Sequence, residues 1–107
     1  MSTILEQLAA TIKQRRDADP ETSYTKRLLD AGPKKPCKKL GEEAVEVVIA
    51  ALSEDDKALT GEAADLLYHL LVVLECRNIP LSDVLAVLET RVGVSGLEEK
   101  RQRKSGR

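Results

Sequence analysis

The chain has 107 residues, 33% of them charged and 42% hydrophobic, with a formal net charge of −1. That length suits one domain with a core, and the composition suits a globular protein in water. Aromatic residues make up only 2% (Tyr24 and Tyr68, with no Phe or Trp), which argues against a base-stacking nucleic-acid platform.

The chain order reads as a series of helices. Thr3 and Glu6 form a T-x-x-E capping box, and Leu5, Leu8, Ala9 and Ile12 follow at helical spacing. This first helix is expected to end near Arg16, before "DADPET". A short second helix is predicted from Ser23 to Ala31, stopped by Gly32 and Pro33. A third is predicted from about Cys37 to Leu52, with Pro36 just ahead of it or in its first turn. "SEDD" breaks the pattern, and Ser53 is the expected N-cap of a fourth helix from about Asp55 to Arg77. "NIP" closes that helix, and a fifth runs from Leu81 or Ser82 to near Val92. The expected organisation is therefore a single all-α domain over 1–92 and a basic, flexible tail over 93–107. No segment shows sustained strand alternation.

Other features bound the possibilities. Cys37 and Cys76 have no CxxC spacing, and a single histidine leaves the usual zinc ligand set short. The N-terminus lacks the pattern of a signal peptide, and no apolar run reaches the ~20 residues of a membrane span. A cytoplasmic protein with no membrane or nucleic-acid partner is expected. Helices three and four carry apolar residues around most of their circumference, which predicts burial on more than one side and hence a homodimer. "GEEA" at 41 and "GEAA" at 61 each place glycine inside a helix, at a cost of about 1 kcal/mol against alanine. A close helix approach or room for a ligand would offset it; chance is the alternative.

The acidic residues carry the chemistry. Residues rotate by about 100° each along a helix, so Glu42, Glu43 and Glu46 share one arc. Glu62 and Asp65 share a face of the fourth helix. Apolar residues flank Glu46 and Asp65, and an ionised carboxylate buried there would need a partner. Two carboxylates can share a proton, or several can share a cation. Four or five oxygens from two helices suit a hard divalent ion, above all Mg²⁺. The plainer reading is ordinary surface acids, with Lys38 and Lys39 pairing with Glu42 and Glu43. His69 either meets the Asp65 carboxylate or fills a polar gap in the core, and Tyr68 reads as core or interface.

The pattern E42-E43-x-x-E46 followed by E62-x-x-D65 resembles that of the all-α, MazG-like nucleoside triphosphate pyrophosphohydrolases. "SYTKRLLDAG" (23–32), "KKLGEEAVEVVIAA" (38–51) and "GEAADLLYHLLVVL" (61–74) are similar to the phosphoribosyl-ATP pyrophosphohydrolases. "GVSGLEEK" in the tail fits as well. The resemblance implies a helical bundle completed by homodimerisation. It implies Mg²⁺-dependent hydrolysis of phosphoribosyl-ATP to phosphoribosyl-AMP and pyrophosphate, the second step of histidine biosynthesis. Glu42, Glu43, Glu46, Glu62 and Asp65 match the metal-binding positions, with Glu43 or Glu46 as the proton acceptor. Lys38, Lys39, Ser23, Tyr24 and Arg27 are the candidates for substrate contact; Ser23 also reads as a plain N-cap, and the two lysines as solvent-facing. A related enzyme acting on other (deoxy)nucleoside triphosphates and a non-catalytic helical dimerisation module are the alternatives.

Overall fold

Thr3 starts the first helix as its side chain predicts. In this computed structural model, which describes residues 3–92, its hydroxyl accepts the Glu6 N–H at 3.2 Å, and Glu6 Oε1 accepts the Thr3 N–H at 3.3 Å. Two of the helix's unsatisfied donors are thereby paired. Helix α1 spans Ile4–Gln14 and tightens into a single 3₁₀ turn at Arg15–Asp17. Helix α2 spans Tyr24–Asp30, capped by Ser23, whose oxygen accepts the Lys26 N–H. Gly32 ends it at φ 75°, a left-handed conformation open to glycine at no steric cost.

Helix α3 spans Lys34–Ser53 and so begins three residues earlier than Cys37. Pro36 lies in its first turn, where the missing N–H would have no helical partner in any case. The Cys37 N–H makes the opening bond, to Pro33 O at 2.9 Å. Helix α4 spans Asp56–Cys76. Its cap is Asp55, which accepts the Ala58 N–H at 2.9 Å, and not Ser53. Ser53 instead closes α3, donating its hydroxyl to Ile49 O. Asn78, at φ 57°, ends α4 in a Schellman motif. The Ile79 N–H reaches back to Leu74 O at 2.9 Å, and the Asn78 N–H to Glu75 O at 3.0 Å. Helix α5, Leu81–Arg91, follows Pro80.

The described residues thus form five α-helices and no strand, the all-α class expected. The α3–α4 hairpin makes the most extensive contact, and α1 and α2 lie against α4. Ile12, Leu28, Leu71 and Val72 form the core, flanked by Leu5, Leu8, Ala9, Leu29, Tyr68, Leu74 and Leu81. No helix among the described residues is long and apolar enough to cross a membrane. The basic tail expected over 93–107 lies outside the described residues.

One apolar surface stays open. Val45, Val48, Ile49 and Leu52 recur at i, i+3, i+4 and i+7 on α3, and all four are exposed, Leu52 at 82%. Leu67 and Leu70 on α4 are exposed too. Gly41 and Gly61 do not mark a close helix approach: a Cβ at either would meet nothing within 4 Å.

Candidate metal-binding site

The hairpin brings acids from its two helices together. One carboxylate oxygen each from Glu43 on α3 and from Glu62 and Asp65 on α4 lie within 4.8 Å of one another. Oxygen ligands facing each other across a hard cation stand roughly 4–5 Å apart, twice the metal–oxygen bond. The donors are all oxygen, so the set fits Mg²⁺ or a similar hard ion and offers nothing to a thiophilic one.

Electrostatics point the same way. Glu62 is half-buried, and its carboxyl is pushed above the ordinary glutamate range. Loss of hydration contributes first, then a hydrogen bond with the Glu43 side chain, then the charges of Glu43, Glu46 and Asp65. Without a cation, two carboxyls in hydrogen-bond contact hold a proton between them. A divalent ion would take the proton's place.

The five predicted acids divide. Glu43, Glu62 and Asp65 converge, and Glu46 stands close enough for its charge to act on Glu62. Glu42 turns toward Lys39, 3.7 Å away and three residues before it, and not toward Lys38 four residues before it as the i,i+4 spacing suggested. Burial does not set Glu46 and Asp65 apart. Glu46 and Asp65 are exposed within the single chain, because Val45, Val48 and Ile49 beside Glu46 are exposed as well. Apolar neighbours in sequence did not mean apolar surroundings in space. The convergence on Glu62, not burial of Glu46, is what makes these acids a candidate cation site.

Among the candidates for substrate contact, Lys38 is exposed and Lys39 is paired with Glu42. Ser23 caps α2, and Tyr24 beside it is 47% exposed. Arg27 is turned to another task. Its Nε donates to Pro20 O at 2.6 Å and its Nη2 to Glu21 O at 3.2 Å, pinning the loop before α2.

Around the acids, α4 is anchored by neighbours. His69 is buried, and its Nδ1 donates to the Asp65 backbone carbonyl at 2.8 Å, not to the carboxylate. A carbonyl only accepts, so Nδ1 carries the proton, and buried Nε2 has no hydrogen-bond partner among the described residues. The Tyr68 hydroxyl bonds to Thr25 on α2, and its ring meets His69 edge-on at 4.9 Å. Arg16 clamps the end of α4, donating to the Glu75 carboxylate, the Glu75 carbonyl and Asn78 Oδ1. The Thr25–Tyr68 and Arg16–Glu75 pairs were not foreseen. Their partners lie 43 and 59 positions apart, and no local pattern announces such a contact. Cys37 and Cys76 are both free thiols.

Known proteins are similar to this chain over most of its length. A phosphoribosyl-ATP pyrophosphatase of Jannaschia is 56% identical over 101 residues, covering 94% of this chain and 99% of its own. One of Cereibacter sphaeroides is 54% identical over 98 residues, covering 92% and 95%. One of Rhizorhabdus wittichii is 54% identical over 106 residues, covering 99% and 100%. Residues 5–92, which hold all three converging acids and the helices that carry them, match the family described as phosphoribosyl-ATP pyrophosphohydrolase, and the chain belongs to that family.

Proposed function

We propose that the chain hydrolyses phosphoribosyl-ATP between its α and β phosphates, giving phosphoribosyl-AMP and pyrophosphate, a step of histidine biosynthesis. The observation that carries this reading is the meeting of Glu43, Glu62 and Asp65 across two helices. Family membership sets aside the module without catalysis.

Mg²⁺ is the proposed cofactor, held by Glu43, Glu62 and Asp65. When bound, it neutralises the triphosphate and stabilises charge on the departing pyrophosphate. Glu62 would hold the ion from α4, and the positive charge would offset the repulsion from Glu43, Glu46 and Asp65 that raises its proton affinity. Glu46 stands outside the converging three and is exposed, so it is free to accept the proton of the attacking water. Glu42, tied to Lys39, stands at the rim on the same helix as Glu43. Lys38, exposed one turn before Glu42, supplies positive charge to the entering phosphates.

A homodimer is part of the proposal. The exposed stripe of Val45, Val48, Ile49 and Leu52 flanks Glu46 on α3 and needs an apolar cover. Docking a second copy there would cover the stripe and bring the partner surface beside Glu46. A cytoplasmic location fits a nucleotide substrate.

Pyrophosphate release should be measured with phosphoribosyl-ATP and with ordinary and deoxy nucleoside triphosphates, over a Mg²⁺ titration. The expected result is a preference for phosphoribosyl-ATP and no turnover in chelator. Glu46→Gln should lower kcat by about 10²–10⁴ while the fold persists, the range typical of losing a general base. Faster cleavage of plain deoxynucleotides would favour the alternative substrate class.

A further inference from the structure

Phosphoribosyl-ATP has two phosphorylated ends. The triphosphate is one; the other is a monophosphate on the second ribose, across the adenine ring. Glu43, Glu62 and Asp65 can receive the first only through a metal, and they repel a phosphate that brings none. The monophosphate therefore calls for a cation elsewhere.

A polar cleft of about 430 Å³ opens beside the start of α2. Arg15, Ala18, Thr22, Ser23, Tyr24 and Thr25 line it. The Arg15 guanidinium is the one charge in that lining and is exposed, with no hydrogen bond or ion pair among the described residues. Its neighbour Arg16 points the other way and holds the 3₁₀ turn to the end of α4. The turn's two arginines thus divide the work: one fixes the backbone and the other stays available.

The remaining walls are fixed from behind. Arg27 holds the carbonyls of Pro20 and Glu21, and Thr22 donates its hydroxyl to Asp19 O. Ser23 Oγ accepts the Lys26 N–H, which leaves its own proton to donate. Thr25 bonds to the Tyr68 hydroxyl. Tyr68 stands one turn beyond Asp65 on α4, the helix that also carries Glu62.

We infer that this cleft receives the phosphorylated ribose of the substrate, with Arg15 on its phosphate and the Ser23 and Tyr24 hydroxyls on its oxygens. The inference rests on phosphoribosyl-ATP being the substrate, as proposed above. Arg15 then sets specificity. Its guanidinium gives charge-assisted hydrogen bonds to an oxyanion that ATP lacks at this end.

Two measurements test it. Arg15→Gln should raise KM for phosphoribosyl-ATP about tenfold to hundredfold, the loss typical of a charged hydrogen bond, with kcat nearly held. The ratio of kcat/KM for phosphoribosyl-ATP to that for ATP should fall by a similar factor. An unchanged ratio, whether both substrates suffer alike or neither does, overturns the inference. The second measurement needs no turnover. Ribose 5-phosphate, titrated to tens of millimolar, should shift the amide resonances of Thr22–Thr25 in the wild-type chain and not in Arg15→Gln. Absence of that shift in the wild type also overturns it. If ribose 5-phosphate binds there yet phosphoribosyl-ATP is not cleaved, the proposed reaction fails and the cleft stands as a sugar-phosphate site.

Discussion

Glu62 is held above the ordinary glutamate range, and the sign of the consequence follows from linkage. The folded chain binds this proton more tightly than the unfolded chain. Metal-free stability is therefore greatest at acid pH, as far as this group is concerned. It falls as pH rises from the usual carboxylate range through the raised value. Glu62→Gln should make the metal-free protein more stable at pH 7 and flatten that slope, as read from thermal melts in chelator. Added salt should shrink the difference, since the cluster is partly open to solvent. Mg²⁺ should raise the wild-type Tm at pH 7 and do little for the variant. At this scale the acid pattern was legible, because spacing alone put Glu62 and Asp65 on one face of α4. Which acids meet was not. Glu43 and Glu46 are neighbours on α3, and only the packing of α3 on α4 decided that Glu43 joins the trio and Glu46 stands beside it.

At the scale of the elements, capping residues foretold helix starts wherever one choice was available. Thr3 and Ser23 act as their chemistry predicts. Between Ser53 and Asp55 the sequence offered two caps. Asp55 took the role because α3 runs on through Ser53. Pro36 left two starts open for α3, just after it or with it in the first turn, and the structure takes the second, beginning at Lys34. The C-terminus of α4 allows a direct test. Asn78 supplies both a left-handed backbone and an acceptor for Arg16. Asn78→Ala should cost about 1–2 kcal/mol in denaturant unfolding, combining backbone strain with a lost hydrogen bond. Asn78→Gly should cost less, because glycine tolerates the same φ.

At the scale of the whole molecule, the two-sided apolar character of α3 and α4 was readable, but its partner was not. Leu71 and Val72 point into the core made with α1 and α2. Val45, Val48, Ile49 and Leu52 face out. An amphipathic pattern says that a face must be covered; it does not say by which surface. Val48→Glu should therefore convert a dimer into monomers in sedimentation at micromolar concentration, while helix content by circular dichroism is retained. Turnover should fall with it, because Glu46 stands two residues away on the same helix. A Val48→Glu chain that sediments like the wild type would remove the stripe from the interface.

Only Glu54 and Asp55 separate α3 from α4. So brief a bend leaves the helices no slack to slide past each other. Displacing one by a single turn would carry Glu43 about 5.4 Å along the axis, out of reach of the pair across from it. The reversal between the helices thus works as a ruler: its shortness, far from the chemistry, keeps three oxygens at the spacing an ion can span.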